Sequence, residues 1–281
     1  MQAVTMGGEP SLVLAPEVLE HALGGDDLLV VDLCDRGKAS LGFVPGAVYL
    51  PYGSLVTSRP PVGGLLPDEA ILAQLFAALG VSPATHVVAY DEEGGGRAGR
   101  LVWTLHTMGH WACSVLDGGL VSWANEGLSL VAEPVAPTPT AAYPEKADGA
   151  CVADAAYILD RLDDAQLVLL DTRTLEEYRG EKRLSARAGH IPGAAHFNWV
   201  DAMDRSRNLR LKDGDELRGM LAEIGVTSDK EVVVYCQTHH RSSHTYVMLK
   251  SLGFAQVRGY PGAWSDWGNR DDTPVTMGSE P

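Results

Sequence analysis

Cysteine is scarce in this chain and follows no pairing pattern. The 281 residues contain four cysteines, and no two of them are spaced as Cys-x-x-Cys: Cys34, Cys113, Cys151 and Cys236. This usage is unlike the disulfide framework of a small secreted protein and suits a reducing compartment. We therefore expect free thiols rather than disulfides.

Long apolar runs and a basic leader are also missing. No stretch of about 18 apolar residues is present to span a bilayer. The first residues, Met1–Glu9, have neither the basic region nor the apolar region of a secretory signal. These absences lead us to expect a cytoplasmic protein.

Positive charge is scarce as well. Lys and Arg number 22 against 37 Asp and Glu, which gives a formal net charge of −15. Binding to nucleic acid or to an anionic membrane surface requires basic patches that neutralise phosphates. We therefore expect no nucleic-acid partner and no membrane partner, whereas thiols and proteins remain open as partners.

The two halves of the chain repeat one pattern, which is the strongest constraint on the fold. Matching segments recur in the same order at an offset of about 145 residues: Leu28–Asp32 with Leu167–Asp171, Gly42–Ala47 with Gly189–Ala194, Leu79–Ser82 with Ile224–Thr227, and His86–Tyr90 with Glu231–Tyr235. Short apolar runs alternate with helical patterns such as 69–79 and 215–224, which is typical of a parallel sheet covered by helices. The sequence predicts two copies of one α/β domain.

A proline-rich stretch separates the copies. Four prolines fall within Glu133–Pro144, without apolar periodicity. Such a composition is typical of an extended, semi-rigid linker. We predict an N-terminal domain over 1–132, a linker over 133–150 and a C-terminal domain over 151–281.

Cys236 lies at a predicted turn from strand to helix. The run 232–235 is apolar on both faces, as a central strand requires, and 242–252 has the apolar spacing of a helix. Amide groups at a helix N-terminus lack intrahelical partners, favour an anion and lower the pKa of a thiol. Cys236 is therefore the candidate nucleophile, in a loop that continues through Gln237, Thr238, His239, His240, Arg241 and Ser242.

The charge around this loop is positive. No Asp or Glu occurs from Val232 to Ser265, whereas Arg241, Lys250 and Arg258 lie in that window. Such a setting favours a thiolate and attracts small sulfur or oxygen anions. In the first copy, Asp91 stands in register with Cys236 and three acidic residues precede Gly94–Gly96, so an anion would be repelled there.

Other readings of the loop are open. Cys236 has the alternative of a buried, unreactive cysteine, which is what we expect of the other three. His239 and His240 are either solvated side chains or proton-transfer groups. No usual metal-ligand spacing joins Cys236 to the neighbouring histidines, so we expect no metal site.

Taken in order, these motifs resemble the rhodanese family of sulfurtransferases with two tandem domains. The resemblance covers nearly the whole chain and rests on Gly189–Ala194, Cys236–Arg241, Gly262–Trp267 and degenerate equivalents in the first half. It implies two tandem rhodanese-like domains, each with a parallel-sheet core flanked by helices. It also implies a catalytic second domain and an inactive first one.

The resemblance implies a ping-pong reaction without a metal or organic cofactor. The Cys236 thiolate takes the outer sulfur of a small sulfur-containing anion, such as thiosulfate, and becomes a persulfide. Cyanide, a thiol or a protein then accepts that sulfur. The loop Gln-Thr-His-His-Arg is similar to that of azotobacter-type bacterial rhodaneses, which favours thiosulfate over 3-mercaptopyruvate.

The chain departs from the family pattern beside Tyr178. Mammalian-type enzymes place a substrate-binding arginine where this chain has Glu177. Arg241, Arg173 or Arg179 are the candidates to replace that arginine. Arg173 has the alternative of bracing a loop through Asp171.

Two alternative functions use the same cysteine. Related phosphatases and arsenate reductases require Cys-x5-Arg, with the arginine bidentate to phosphate. Here four residues separate Cys236 from Arg241, and the shorter loop suits a single sulfur atom better. The other alternative is a sulfur-carrier module that delivers persulfide to a partner.

Overall fold

The computed structural model describes residues 11–37, 42–143 and 149–280. They cluster into two compact units. The first unit contains the described residues up to Leu55, those of Pro67–Gly149, and Met203–Leu211. The second contains Val56–Leu66, Ala150–Ala202 and the described residues from Lys212 onward.

The secondary structure alternates between short strands and helices in both units. The strands are β1 Val13–Leu14, β2 Leu28–Asp32, β3 Val48–Tyr49, β4 Thr57–Arg59, β5 Val62–Leu65, β6 His86–Tyr90, β7 Cys113–Leu116, β8 Leu167–Asp171, β9 Ala195–His196, β10 Met203–Asp204, β11 Arg210–Leu211, β12 Glu231–Tyr235 and β13 Val257–Gly259. The helices are α1 Pro16–Ala22, α2 Glu69–Leu79, α3 Gly96–Thr107, α4 Gly119–Asn125, α5 Ala155–Leu159, α6 Leu175–Arg179, α7 Gly214–Glu223, α8 Arg241–Ser251 and α9 Ala263–Trp267.

Each unit is built on a parallel sheet, as the sequence predicts. In the first unit the strand order is β1-β7-β6-β2-β3, and in the second it is β13-β12-β8-β9. A single parallel bridge from Val152 to Gly259 in the second unit stands where the first has β1. Strands β6 and β12 are therefore internal and correspond to each other, because strand order runs through the same neighbours in both sheets.

Strand β12 has the burial that its composition predicts. All five of its residues are buried, and it pairs with β8 on one side and β13 on the other. Apolar side chains on both faces suit this position, because helices cover both faces of a parallel sheet. The strand ends at Tyr235, which delivers the next residue, Cys236, to the sheet's carboxyl edge.

The predicted helices are confirmed to within one residue at each end. Helix α2 begins after Asp68 and ends at Leu79. The next residue, Gly80, has a φ of 90°, which a glycine adopts without steric cost. Helix α7 begins after Asp213, whose carboxylate accepts the amide N–H groups of Asp215 and Glu216. Among the described residues, none of the helices has the length and hydropathy needed for a membrane span.

The predicted linker is partly outside the described residues, since 144–148 are not described. Residues 133–143 form no helix or strand and are mostly exposed. They nevertheless run along the first unit: Val135 N–H donates to Ala47, Thr140 N–H donates to Ala77, and the Tyr143 hydroxyl donates to Met108. The domain boundaries given above stay a prediction.

Two antiparallel hairpins were missed by the sequence analysis. Strands β4 and β5 come from the first half of the chain but cluster with the second unit. Strands β10 and β11 come from the second half but cluster with the first unit. Each parallel-sheet unit therefore includes a hairpin from the opposite half of the sequence.

Candidate active site

Cys236 lies between the end of β12 and the start of α8, and its position is fixed by backbone hydrogen bonds. Its carbonyl accepts the N–H of Trp264 at 3.0 Å, and the carbonyl of Gln237 accepts the N–H of Ser265 at 2.9 Å. The first turn of α9 therefore holds the first two residues of the loop. The cysteine side chain has no exposed surface, so its thiol is screened from bulk water.

The surroundings of Cys236 favour its thiolate form. Burial raises the pKa of the thiol, but the charge of Arg241 and hydrogen bonds from Ser242 and Thr238 outweigh it and bring the pKa down to about 7. The Ser242 hydroxyl and the backbone N–H groups of Ser242 and Thr238 all donate to the sulfur. A thiol with this pKa is about half ionised at neutral pH.

His239 supports the loop through Ser242. Its Nδ1 lies 2.7 Å from the Ser242 hydroxyl oxygen, and its side chain is fully buried. His239 has a φ of 53°, a strained value for a residue with a side chain. The structure thus places His239 behind the hydroxyl that contacts the thiol.

Arg241 lies beside the thiol and is held by Glu177. Its two terminal nitrogens donate to the two carboxylate oxygens of Glu177 at 2.6 and 2.9 Å. Burial alone raises the pKa of Glu177, but these hydrogen bonds and the arginine charge lower it to about 2. Glu177 is ionised at any physiological pH, and the pair is permanently charged.

Glu177 is fixed on its own side by the start of α6. The Thr174 hydroxyl accepts the N–H of Glu177, and the Glu177 carboxylate accepts the N–H of Thr174. This capping box satisfies two amide groups at the helix end. The Thr174-x-x-Glu177 pattern was readable from the sequence, but nothing in it indicated that the carboxylate also binds Arg241.

The other two candidate arginines are placed differently. Arg173 donates to both carboxylate oxygens of Asp171 and to the carbonyl of Gly189, and it is almost fully buried. That arrangement is the loop brace weighed above. Arg179 ends α6, and its Nε makes no hydrogen bond within the described part of the chain. Within the described ranges, no hydrogen bond or ion pair joins either side chain to Cys236.

The remaining loop residues face different neighbours. Gln237 donates from its side chain to the Ser185 hydroxyl at 3.1 Å. The ring of His240 lies 6.2 Å from that of Trp199, which also packs edge-on against His244 at 5.5 Å. No cluster of three or more His, Cys, Asp or Glu suited to a metal ion occurs in the residues that the structure describes.

The hairpin of β4 and β5 packs on the loop at Thr238. A Cβ atom at Gly64, whose φ is 70°, would lie 2.2 Å from the Thr238 carbonyl oxygen. Beside it, the N–H of Gly63 donates to the Ser265 hydroxyl at 3.1 Å. The pair Gly63-Gly64 is the sequence signal for this close approach, and it is absent from the motifs named above.

In the first unit, Asp91 occupies the corresponding loop. Its carboxylate accepts four backbone N–H groups, from Glu93 at 3.0 Å, Gly95 at 2.8 Å, Arg97 at 2.8 Å and Ala98 at 2.9 Å. Burial, followed by the charge of Glu93, raises the pKa of Asp91 to about 6 in spite of these bonds. The loop amides of the first unit are therefore already occupied by a side chain of the loop itself.

The other cysteines lack such surroundings. Burial raises the pKa of Cys113, and burial with the charges of Asp91 and Glu92 raises that of Cys34. Cys151 lies buried, 3.2 Å from the hydroxyl of Tyr246. Cys236 thus differs from Cys34 and Cys113, because its pKa is lowered rather than raised.

One domain family matches this chain twice, and two known proteins match it along most of its length. The pattern of the rhodanese-like domain matches residues 15–126 and again residues 154–270. A thiosulfate sulfurtransferase of Azotobacter vinelandii is 42% identical over 266 residues, which cover 95% of this chain and 97% of the relative. A thiosulfate sulfurtransferase of Pseudomonas aeruginosa is 41% identical over 270 residues, with the same coverage of 95% and 97%.

A solved structure shares the fold at lower identity. The anaerobic ergothioneine biosynthesis enzyme from Chlorobium limicola superposes with a TM-score of 0.86 and 21% identity, covering 95% of this chain and 70% of that chain. At this identity the similarity shows the arrangement of the backbone alone.

Proposed function

The chain belongs to the rhodanese family and is a sulfurtransferase, and from this premise we propose that it moves the outer sulfur of thiosulfate through a persulfide on Cys236. The observation that carries the proposal is the buried thiol at the start of α8, whose sulfur accepts three hydrogen bonds and lies in the field of the Arg241 charge. These groups stabilise the negative charge that the thiolate carries before the reaction and that the persulfide carries after it.

The first step forms one S–S bond and breaks another. The Cys236 thiolate attacks the outer sulfur of thiosulfate, and the electron pair of the thiosulfate S–S bond leaves with sulfite. The three negative charges of the reactants end as one on the persulfide and two on sulfite. Because the outer persulfide sulfur is anionic, the donors of the loop continue to have a charge to bind.

The second step regenerates the thiolate. Cyanide, a thiol or a protein nucleophile attacks the outer sulfur, and the electron pair of the persulfide bond returns to Cys236. With cyanide the product is thiocyanate. No group beyond the chain's own residues takes part in either step as we propose it.

The geometry of Arg241 weakens the phosphatase alternative. A phosphatase of the related kind requires an arginine whose two nitrogens bind the phosphate. In this chain both terminal nitrogens of Arg241 bind Glu177. The alternatives of 3-mercaptopyruvate as donor and of a sulfur-carrier role share Cys236 and are separated by comparing kcat/KM for each donor with the rate of sulfur release to protein thiols.

Intact mass spectrometry tests the proposal. Incubation with thiosulfate is expected to add about 32 Da to the protein, and cyanide is expected to remove that mass with release of thiocyanate. An unchanged mass with thiosulfate, mercaptopyruvate and organic sulfane donors alike would contradict sulfur transfer by this site.

We also propose that the protein works in the cytoplasm. The support is that its four cysteines, all within the described residues, are free and buried rather than paired, as a reducing compartment allows.

A further inference from the structure

Glu177 is a buried carboxylate beside the reactive thiol, and the reaction described above does not use it. Its exposed fraction is 1%, and its carboxylate reaches the Thr174 amide on one side and the Arg241 guanidinium on the other. A buried carboxylate is costly unless it is paired. The pairing here is with the cation that lowers the pKa of Cys236, so Glu177 is coupled to the reactive sulfur.

The charges around the sulfur sum to a negative value, in contrast to the positive setting expected from residues 232–265, because Glu177 lies outside that window and pairs with Arg241. With Cys236 as a thiolate, Arg241 adds one positive charge and Glu177 one negative charge, so the three groups together carry one negative charge. A further pair, Arg173 with Asp171, acts on Arg241 and Glu177 and is neutral as a unit. The loop amides and the α8 dipole therefore attract a donor anion. Arg241 attracts it less, because its guanidinium is already paired with the Glu177 carboxylate.

The net negative charge of the site weakens donor binding, and the loss of binding free energy depends on the charge of the donor. Electrostatic energy scales with ligand charge, so a dianion such as thiosulfate feels the Glu177 carboxylate twice as strongly as a singly charged donor. If Glu177 acted only by capping α6, its substitution would change kcat/KM equally for donors of different charge, because its hydrogen bond with Thr174 does not depend on the donor.

We propose that Glu177 sets the charge selectivity of the donor site by holding Arg241 and offsetting its charge, so that singly charged sulfane-sulfur donors are favoured over dianionic ones. Thiosulfonate anions, R–SO2–S⁻, in which an organic group replaces one charged oxygen of thiosulfate, serve as the singly charged probe of this selectivity. The inference rests on the proposed sulfur transfer and adds the residue that sets its charge selectivity. Glu177 is a positioning residue, since it acts through Arg241.

The reaction with this donor class balances as the thiosulfate reaction does. The Cys236 thiolate attacks the outer sulfur of the thiosulfonate, the S–S bond of the donor breaks, and its electron pair leaves on the sulfinate. Two negative charges enter, and two leave, one on the persulfide and one on the sulfinate. No oxidant or reductant is required.

The test compares Glu177→Gln with Glu176→Gln on two donors. Gln keeps the size and an acceptor oxygen for Arg241 and Thr174, whereas it removes the charge. Glu176 is the neighbouring exposed residue, so its substitution changes the net charge of the protein equally. The donors are thiosulfate and methanethiosulfonate, and the readouts are kcat and KM at fixed ionic strength.

Glu177→Gln is expected to raise kcat/KM about tenfold for thiosulfate and about threefold for methanethiosulfonate, because the second donor has half the charge. The selectivity ratio therefore shifts about threefold toward thiosulfate. The gain is expected in KM rather than kcat. Glu176→Gln is expected to leave the ratio where the wild-type protein has it, and an equal shift in both variants would overturn the proposal.

A second measurement needs no variant and covers the case in which Glu177→Gln fails to fold. Raising the ionic strength from about 0.02 M to about 0.5 M screens repulsion between the site and its donors. The wild-type ratio of thiosulfate to methanethiosulfonate is expected to rise with salt. A ratio that falls with salt shows a net attractive site and overturns the proposal. If neither donor charges Cys236 with sulfur, the proposed function itself is wrong, which is a separate outcome.

Discussion

The loops after β6 and β12 are two versions of one anion-binding turn, and only one of them holds a thiol. In the first unit the carboxylate of Asp91 takes four backbone N–H groups at 2.8 to 3.0 Å. In the second unit the same kind of donors, from Thr238 and Ser242, point at the sulfur of Cys236. The backbone thus builds a site for negative charge in both units, and one side chain decides whether the site is filled permanently or is reactive.

The charges next to the two loops also differ: they raise the pKa of Asp91 and lower that of Cys236. Beside Asp91, Arg97 is bound by Glu92 at 2.8 Å, and Glu93 raises the pKa of the aspartate. Beside Cys236, Arg241 acts on the thiol directly. A thiol at position 91 would therefore face open backbone donors, but with Glu93 and the ion pair of Arg97 and Glu92 beside it.

Cys236→Ser gives the largest effect that we predict. A serine hydroxyl cannot form a persulfide, so sulfur transfer is expected to fall to background, a loss of more than about 1,000-fold. The measurement is thiocyanate formation from thiosulfate and cyanide, with the mass gain of the protein as a second readout.

The matched control is Cys113→Ala, which removes a buried cysteine of the first unit. Its thiol has a pKa raised by burial, so turnover is expected to stay within about twofold of wild type. Transfer that survived Cys236→Ser and fell with Cys113→Ala would reverse the roles of the two units.

Arg241→Ala is expected to give the next largest effect. Losing the cation weakens binding of the anionic donor and destabilises the thiolate, so KM for thiosulfate is expected to rise at least about tenfold. The pKa of Cys236 is about 7 with the arginine in place. Without it, the midpoint of the pH profile for iodoacetamide alkylation moves upward, because the thiolate is the reactive form and appears at higher pH.

Arg218→Ala supplies the control for that loss of charge. Arg218 is an exposed arginine of α7 that pairs with Asp215 at 3.0 Å, so the same net charge change leaves both readouts where they are. An alkylation midpoint that stayed near 7 in Arg241→Ala would assign the thiolate to the loop amides alone.

Gly64→Ala tests the hairpin that packs on the loop of Cys236, with a smaller effect. The added Cβ would lie 2.2 Å from the Thr238 carbonyl oxygen, at a φ of 70°, so Thr238 or the hairpin must shift, and the N–H that Thr238 donates to the sulfur is disturbed. We expect kcat to fall about tenfold. In Gly63→Ala the Cβ would lie 3.6 Å from the nearest Thr238 atom, and kcat is expected to be nearly unchanged.

The first unit offers the counterpart of that substitution. A Cβ at Gly94 would lie 2.4 Å from the Met203 sulfur of the other hairpin, at a φ of 93°. Gly94→Ala is expected to cost about 1–3 kcal/mol of unfolding free energy and to leave kcat unchanged, as measured by urea denaturation and turnover. A fall in kcat equal to that of Gly64→Ala would show that both loops serve catalysis.

Much of this architecture could be predicted from local sequence. The two parallel sheets, the internal strand β12, helix α8 and the thiol between them depend on apolar runs, spacing and the repeat. The ion pair between Arg241 and Glu177 could not be predicted, because the two residues are 64 positions apart in the sequence and meet only where α6 packs on the loop. The hairpins β4–β5 and β10–β11 could not be predicted either. Their strands are too short to give a periodic signal, and the units that they pack on come from the other half of the sequence.

The most direct test of the account gives both loops a thiol. Asp91→Cys protein is treated with thiosulfate, digested under non-reducing conditions, and its peptides are examined for the added sulfur. We expect sulfur on the peptide with Cys236 and none on the peptide with position 91, because two acidic residues, Glu92 and Glu93, follow position 91 directly and Glu93 raises the pKa of the group there. Sulfur on both peptides, or transfer by Asp91→Cys in a Cys236→Ser background, would contradict it.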